Sequence, residues 1–359
     1  MDHPDQQAAP IRVKFMARPE ARIWRHQLPD SSPTWGGCEF IFDSQERNYD
    51  WLVVYDDLPP RSNERRSIRE ETLACHPDNT LLVTSEPSSI KSYFTDFTNQ
   101  FGAVLTSQPA WALPHKRRYF QQPALQWFFG VGSKVVKPFS ELERSLSDNK
   151  REMVSIVGSS KQQRHTLHAL RYQFISALKK SDADLKVFGR EDVPMDDKAE
   201  ALAPFRFHVA VENHYSDHHW TEKLADAFLG EAVPLYVGCP NVEEYFPEES
   251  IIKLDIKDPE SAIEAIKGLS QADYERRLPA VLEAKRRVLY EYNLFAVIAR
   301  IIDSAGCEPP PSGEPPKIRS RRLVIKTSLA SGLRHLYQKS RLRLIHRIRD
   351  RKLLSKLRP

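Results

Sequence analysis

The stretch PFRFHVAVENHYSDHHWTEKLADAFLGEAVPLYVGCPN occupies residues 204–241. Its apolar segments predict one strand at 205–211 and a second at 233–237, with a short helix opening at Thr221 between them. Strand, helix and strand in this order form a βαβ unit, and Glu212 and Asn213 end its first strand. Ligands of open α/β sheets bind at the edge where such strands end. The stretch therefore predicts both the fold class and the place of a binding site.

The chemistry at the helix start is typical of a site for a nucleotide-sugar diphosphate. Thr221 can cap the helix with its hydroxyl, and the free N–H groups of the first turn suit a phosphate. Lys223 is disfavoured at a helix start by the helix dipole, and a bound anion would remove that conflict. Glu212, Asn213 and Glu222 offer acceptors for sugar hydroxyls. The alternative is a capped turn followed by solvated helix residues.

Length and composition favour an ordinary globular protein of two domains. The chain has 359 residues, of which 40% are hydrophobic, and no run of 18 apolar residues that could span a membrane. Its four cysteines have no paired spacing and indicate free thiols in a reducing compartment. Strand and helix patterns alternate along both halves, which predicts two doubly wound α/β domains. The main patterns are strands at 51–55, 80–83, 153–157, 185–188 and 251–256, and helices at 90–100, 165–179 and 259–268. Residues 272–305 are largely helical in pattern, with a predicted break or kink at Pro279.

Two further positions are candidates for binding and catalysis. The small turn Gly158-Ser159-Ser160 lets backbone N–H groups approach a diphosphate, although a full Gly-x-Gly-x-x-Gly is absent. Arg171, on the helix that follows, can bind a phosphate through two parallel N–H bonds, or can form a surface ion pair. Glu86 lies at the carboxyl end of a strand, where it can take a proton from a hydroxyl, or can be an acid of a surface turn.

The end of the chain differs from the rest in charge. Residues 317–359 carry fifteen Lys and Arg against one acid, which leaves the remaining chain acidic. A Pro-rich linker at 306–316 precedes this tail. Residues 333–358 can form a basic amphipathic helix, which favours an anionic membrane surface, whereas nucleic-acid binding and a disordered tail are the alternatives. Since apolar residues recur regularly and aromatic residues are few, we expect no nucleic-acid partner. We also expect removal of 317–359 to leave a soluble activity intact.

The central stretch resembles the donor-binding signature of the alpha-1,3-fucosyltransferases of bacterial type, glycosyltransferase family 10. That family shows an apolar strand with Glu-Asn, a polar loop, Thr-Glu-Lys, and a strand ending in Gly-x-Pro. The matching residues are 209–213, 221–223 and 233–240, with further matches at 84–87, at Ser159, at Arg171 and at 292–293. The resemblance covers roughly residues 80–300. Family members often carry a Tyr two residues before the Thr, where this chain has His219.

The resemblance implies a GT-B fold, in which two Rossmann-like domains face each other across a cleft. Residues 1–140 would form the acceptor domain and 150–305 the donor domain, followed by the linker and the basic helical tail. It also implies inverting transfer of L-fucose from GDP-fucose to a glycan hydroxyl, with an alpha-1,3-type linkage. The implied acceptor is a lipid-linked glycan or a surface polysaccharide.

The resemblance also implies roles for individual residues. Glu86 would be the general base, Arg171 and Lys223 would neutralise the leaving diphosphate, and Glu222 would hold fucose or ribose hydroxyls. The predicted donor site is completed by Ser159, Glu212, Asn213, His219 and Thr221.

We expect no required metal or cofactor, because fixed cations can stabilise the leaving group. The one Asp-x-Asp match, at 182–184, is interpreted as coincidental. The expected place of action is the cytoplasm, at the inner face of the membrane. The alternatives are transfer of another GDP- or UDP-linked sugar, and a non-catalytic protein that binds glycans or membranes.

Overall fold

The computed structural model describes residues 9–29, 32–123, 125–158, 167–189 and 191–355. It has the predicted mixed α/β architecture, built on two large sheets of mainly parallel strands. Within the described residues, no helix is both long and apolar enough to cross a bilayer.

The first sheet has seven strands and occupies the first third of the chain. The strands of this region are β1 (Ile11–Met16), β2 (Thr34–Trp35), β3 (Cys38–Ile41), β4 (Trp51–Tyr55), β5 (Glu70–Thr72), β6 (Thr80–Val83), β7 (Ala103–Thr106) and β8 (Arg118–Phe120), and its helices are α1 (Ala21–Arg25), α2 (Thr95–Thr98) and α3 (Phe139–Glu143). The spatial order is β2-β3-β1-β4-β6-β7-β8, and only β2 is antiparallel to its neighbour. Strands β4, β6 and β7 are almost wholly buried, as continuous apolar strands of parallel sheets are.

The second sheet has five strands, all parallel, in the order β10-β9-β11-β12-β13. Its strands are β9 (Glu152–Val157), β10 (Leu185–Phe188), β11 (Phe205–Val211), β12 (Val233–Val237) and β13 (Ile252–Lys253). The helices that follow are α4 (Leu167–Lys180), α5 (Glu222–Leu229), α6 (Pro259–Lys267), α7 (Gln271–Tyr290) and α8 (Leu294–Ala305). Strands β11 and β12 have the predicted bounds, and α5 begins directly after its predicted cap, Thr221.

The two hydrophobic cores do not follow the predicted domain bounds closely. Trp127, Phe129 and Phe139 pack in the core of the second sheet, although the prediction placed them in the first domain. Leu294 and Phe295 of α8 pack in the core of the first sheet, although they were predicted in the donor domain. The reason is that the apolar face of α8 covers one side of the first sheet. The chain therefore passes from the core of the first sheet to the core of the second and then back to the first. The division into domains at 140 and 305 stays a prediction.

The C-terminal segment is bound to the first half of the molecule and is not a separate tail. It consists of β14 (Lys317–Arg319), α9 (Arg321–Thr327) and α10 (Leu329–Ser355). Strand β14 pairs antiparallel with β5, and its Ile318 is 1% exposed in the core of the first half. Leu342, predicted on the membrane-facing side of the helix, is buried. The expectation that 317–359 can be removed without harm therefore conflicts with its packing.

Three predicted elements differ in extent from those observed. The helix at 90–100 is reduced to α2, because Lys91 and the Tyr93 hydroxyl both bind the Asp56 carboxylate and hold the chain before the helix in a turn. The strand at 251–256 shrinks to β13, because Asp255 accepts a hydrogen bond from the Lys257 N–H in a tight turn. The predicted break at Pro279 is absent, since α7 continues through it.

Candidate active site

Glu212 joins the end of β11 to the start of α5. Its Oε1 accepts a hydrogen bond from the Thr221 N–H at 2.7 Å, and its Oε2 accepts one from the Thr221 hydroxyl at 2.6 Å. The side chain is 2% exposed, and burial raises the pKa of Glu212. Since Thr221 uses both oxygens, Glu212 fixes the helix start and has little capacity left for sugar hydroxyls.

Gly238, directly after β12, allows this carboxylate to pack closely. A Cβ atom at this position would lie 2.3 Å from the Tyr236 hydroxyl and 2.5 Å from the Glu212 Cγ. Any larger residue would push the Glu212 side chain away from Thr221. The glycine of the Gly-x-Pro sequence is therefore required by packing.

Lys223 and Glu222 form an ion pair on the first turn of α5. The Lys223 Nζ lies 2.8 Å from Glu222 Oε1, 3.1 Å from Thr221 Oγ1 and 3.5 Å from Glu212 Oε2. Burial alone would lower the pKa of Lys223, but the carboxylates of Glu222 and Glu212 outweigh it and hold that pKa above its usual value. Lys223 is therefore a permanent cation, held in place by three oxygen atoms.

Arg171 brings a second cation to the same edge. Its Nε donates to the Val211 carbonyl at 3.2 Å, at the last residue of β11. Burial lowers the pKa of Arg171, and the charges of Glu212 and Glu222 oppose that shift. Among the described residues, its two terminal nitrogens have no hydrogen-bond partner. They are available for the oxygens of a ligand.

A cavity of about 460 Å³ opens at the carboxyl edge of the second sheet. Glu212, His214 and Gly238 line one side, and Lys253 and Lys257 line another. Pockets of this size commonly hold small organic ligands. Beside it, the buried Oδ1 of Asn213 has no hydrogen-bond partner among the described residues. A ligand donor would satisfy this oxygen.

His219 lies between the two halves of the molecule. Its Nδ1 is 3.1 Å from the Ser107 hydroxyl, just beyond β7, and burial lowers the pKa of His219 to about 4. The neighbouring His214 makes a similar contact, with its Nδ1 3.0 Å from the Ser89 hydroxyl. One ring nitrogen of His219 therefore joins the halves, and the contact of His219 with the donor stays a prediction.

Glu86 stands at the carboxyl end of β6, with a fixed backbone and an exposed side chain. Its carbonyl accepts a hydrogen bond from Gln108 Nε2 at 2.8 Å, and its N–H donates to the Tyr93 hydroxyl at 3.4 Å. The surrounding protein limits hydration of the carboxylate and raises the pKa of Glu86, and the negative charge of Asp56 adds to this effect. A carboxylate with a raised pKa is a better proton acceptor, which suits a general base.

Charges at the start of α5 in the second half affect the pKa of Glu86 in the first half. The Glu222 carboxylate raises this pKa and the Lys223 ammonium lowers it, while the Arg171 guanidinium lowers the pKa of Lys223. The contacts of His214 with the Ser89 hydroxyl and of His219 with the Ser107 hydroxyl place the turn that carries Glu86 beside the loop that leads into α5.

Sequence reasoning missed the group that supports Glu86. Asp56 directly follows β4, accepts a hydrogen bond from the Ser85 hydroxyl at 2.9 Å and binds both Lys91 and the Tyr93 hydroxyl. It has a positive φ of 71°. The rule that selected Glu86, a carboxylate at the end of a buried strand, also applies to Asp56 and could have found it.

Ser159, the remaining predicted donor residue, lies outside the described residues. Within the described part of the chain, no group of three or more His, Cys, Asp or Glu side chains is arranged to hold a metal ion.

Residues 147–277 match the sequence model of Glycosyltransferase family 10 (fucosyltransferase), C-terminal part. The predicted family resemblance is confirmed for this segment. The family 10 segment contains Arg171 and the whole stretch from β11 to β12, whereas Glu86 lies outside it.

Individual proteins of known name are similar to this chain over shorter lengths. Alpha-(1,3)-fucosyltransferase FucT of Helicobacter pylori is 34% identical over 73 residues, which is 20% of this chain and 15% of that protein. GDP-fucose protein O-fucosyltransferase 3 of Danio rerio is 31% identical over 96 residues, which is 26% of this chain and 21% of that protein. The matches thus span about a fifth or less of either relative. A crystal structure of an alpha1,3-fucosyltransferase is similar with a TM-score of 0.47 and 15% identity, over 88% of this chain and 95% of that one.

Proposed function

We propose that the protein is an inverting fucosyltransferase that moves L-fucose from GDP-fucose to a hydroxyl of a glycan. The match of residues 147–277 to the family 10 model supports the reaction class. The similarity of part of the chain to a protein whose name includes GDP-fucose supports the donor. The two sheets, with cores of their own, are consistent with a GT-B arrangement.

The observation that carries the proposal is the contact between the halves beside Glu86, where His214 Nδ1 lies 3.0 Å from the Ser89 hydroxyl and so brings the Glu86 turn to the loop before α5 and its Lys223. A glycosyl transfer needs a base on the acceptor side and fixed cations on the donor side. Here the base comes from the first half, and the cations come from helices of the second half. The two cations are held by hydrogen bonds before any ligand binds, as preorganised electrostatic stabilisation requires.

The proposed reaction is a single displacement. The Glu86 carboxylate takes the proton of the acceptor hydroxyl, and the hydroxyl oxygen forms a bond to the anomeric carbon of fucose. The bond from that carbon to the diphosphate oxygen breaks, and GDP leaves with the electron pair. Arg171 and Lys223 stabilise the charge that develops on the diphosphate. No step in this scheme requires a metal or another cofactor.

On the donor side, the cavity of about 460 Å³ would hold the nucleotide, with the diphosphate towards Arg171 and Lys223. Glu222 would bind fucose or ribose hydroxyls through the oxygen that Lys223 does not use. The Asn213 amide would form a hydrogen bond with the ligand at the cavity rim. Glu212 and Thr221 would keep the start of α5 in position. Ser159 would contact the diphosphate.

We also propose that the protein works on the cytoplasmic face of an anionic membrane, which it touches through α10. The exposed apolar residues of this helix fall on one face: Leu329, Leu333, Leu336, Tyr337, Leu344 and Ile348. The opposite face packs on the first half through Ser331, Gln338 and Leu342. Arg and Lys side chains beside the apolar face would bind anionic headgroups. The acceptor would then be a glycan carried at that membrane or a surface polysaccharide under assembly.

Transfer itself can be tested with the full-length protein, GDP-fucose and a panel of glycan acceptors. We expect a fucosylated product whose anomeric configuration, read by proton NMR, is opposite to that of the donor. A product with the retained configuration would contradict the single displacement. Transfer from GDP-mannose or UDP-glucose in preference to GDP-fucose would favour the alternative donor class.

A further inference from the structure

A second cavity, of about 510 Å³, lies on the acceptor side of the molecule, next to the turn that carries Glu86. Ser85, the residue before Glu86, is part of its wall. Asp56, which contributes to raising the pKa of Glu86, is part of the same wall. A molecule in this cavity would therefore lie beside the proposed general base.

The cavity wall is strongly basic. Its cationic side chains are Arg18, Arg65, Arg66, Lys91, Arg321 and Arg322, against the two carboxylates of Asp56 and Asp57. Lys91 is paired with Asp56, and the Asp57 carboxylate accepts hydrogen bonds from the backbone N–H groups of Leu58 and Arg321. The formal excess is four positive charges.

Most of these cations have no protein partner. Among the described residues, Arg18, Arg65, Arg66 and Arg322 form no ion pair and no side-chain hydrogen bond. Arg321 donates from one terminal nitrogen to the Ser92 carbonyl at 3.1 Å, but its buried Nε has no partner. An excess of like charges causes repulsion, and a buried polar atom without a partner costs stability. A bound anion would reduce the repulsion and could accept a hydrogen bond from the Arg321 Nε.

The cavity wall joins the loop at 58–67 to the C-terminal segment, two parts of the chain that are far apart in sequence. The Ser320 hydroxyl donates to the Ser67 carbonyl at 3.1 Å, and the Ser320 N–H donates to the Arg69 carbonyl at 2.9 Å. The pairing of β14 with β5 continues this seam. These bonds bring Arg321 and Arg322 opposite Arg65 and Arg66.

We infer that this arginine-lined cavity binds a phosphate group of the acceptor, so that the acceptor is a phosphorylated glycan. Guanidinium groups bind phosphate oxygens in pairs, and an excess of four charges suits a dianion better than a single carboxylate. A volume of about 510 Å³ leaves room for a sugar beside the phosphate. The sugar hydroxyl would then reach towards Glu86. This inference rests on the proposed function for the identity of the ligand as an acceptor.

The test compares two probes that differ only by a phosphate group, N-acetylglucosamine 1-phosphate and N-acetylglucosamine, by titration calorimetry on the full-length protein. Saturating GDP is present, so that the donor site cannot take the phosphate. We expect the phosphorylated sugar to bind at least about tenfold tighter, since each charge-assisted contact contributes substantially. The variant Arg65→Gln/Arg66→Gln should lose this preference, because both side chains are exposed and their removal does not disturb the core.

The matched control is Arg61→Gln, an exposed arginine of the same loop that does not line the cavity. It should keep the preference of the wild type. Equal affinity for the two probes, or a preference that survives in Arg65→Gln/Arg66→Gln, would overturn the inference.

A second experiment with phosphatidylglycerol vesicles distinguishes binding of a lipid headgroup phosphate from binding of a sugar phosphate. If Arg65→Gln/Arg66→Gln weakened vesicle binding and left sugar-phosphate binding unchanged, the cavity would be a lipid headgroup site and the acceptor assignment would be wrong. If GDP failed to bind, the proposed function would fail, yet the probe comparison would still decide whether the cavity holds phosphate.

Discussion

The two halves of the molecule hold their site residues in different ways. In the second half, Glu212, Thr221 and Lys223 lie within one short stretch and bind one another directly, and Gly238 of the same stretch leaves room for the Glu212 side chain. In the first half, the turn that carries Glu86 is held by Asp56, Tyr93 and Gln108, and the neighbouring cavity is closed by α9. The donor side is thus a local structure, and the acceptor side is assembled from distant segments.

The two halves also supply different chemical groups to the proposed reaction. The second half offers fixed cations and a cavity, both built from elements of the second sheet and the helices that follow its strands. The first half offers a carboxylate whose surroundings depend on the C-terminal segment. We therefore expect changes in the two halves to have separable effects on donor binding, on transfer and on stability.

The largest expected effect comes from replacing the proposed base. Glu86→Gln removes the proton acceptor and keeps the size of the side chain, so the transfer rate should fall by about a hundredfold to ten-thousandfold. GDP-fucose binding should be nearly unchanged, because the donor contacts lie in the other half. Transfer kinetics and a donor titration on the same variant check both parts.

The control for this variant is Glu141→Gln, an exposed acid with no hydrogen bond from its side chain among the described residues. It should transfer fucose at the wild-type rate. A Glu86→Gln enzyme with more than about a tenth of the wild-type rate would show that another group accepts the proton.

The dependence of the first half on the C-terminal segment can be measured through Ile318. Because its side chain is buried in the core of the first half, Ile318→Ala should lower the free energy of unfolding by about 2 to 5 kcal/mol. Denaturant unfolding gives the value. Ile348→Ala on the exposed face of α10 should change it by less than about 0.5 kcal/mol. Similar values for both variants would mean that the segment is only loosely attached.

The local structure of the second half can be tested at Thr221. Thr221→Ala removes the helix cap and leaves the buried Glu212 Oε2 without a donor, so the free energy of unfolding should fall by about 1 to 3 kcal/mol. Ser312→Ala in the exposed linker is the matched control. If Thr221→Ala were as stable as the control, the Glu212 contact would not support the helix start.

The smallest effect concerns the pH dependence of transfer. Reduced hydration and the charge of Asp56 raise the pKa of Glu86, and a general base must be ionised to act. The rate should therefore fall as the pH drops through that raised pKa, above the ordinary value of 4.5. Glu222 stays ionised over this range, because Lys223 outweighs the effect of burial and lowers its pKa. A profile of kcat against pH with its acid limb at or below 4.5 would contradict the raised pKa.

The second half could be predicted well from the sequence because its site residues contact partners that lie close to them in the chain. Strands β11 and β12 and the cap at Thr221 follow from apolar runs and a single hydroxyl residue, and their partners lie nearby in the chain. His219 was different, since its partner Ser107 belongs to the other half. A residue whose role depends on a contact over a hundred positions away cannot be assigned from spacing.

The first half was predicted less completely for the same reason. The helix at 90–100 was overestimated because the bonds of Lys91 and Tyr93 to Asp56 are tertiary contacts. The basic tail was interpreted as a separate helix because its charge differs from that of the body. Its packing depends on buried residues, Ile318 and Leu342, that are hard to distinguish from membrane-facing ones by periodicity alone.

The proposed donor site is tested most directly by a binding titration of GDP-fucose, GDP-mannose and UDP-glucose against the wild type, Lys223→Ala and Glu86→Gln. We expect the wild type to bind GDP-fucose selectively. This binding should be retained in Glu86→Gln and lost in Lys223→Ala. Lys180→Ala, on the exposed last turn of α4, should bind as the wild type does. If no nucleotide sugar bound, or if Lys223→Ala bound GDP-fucose as tightly as the wild type, the proposed donor site would be wrong.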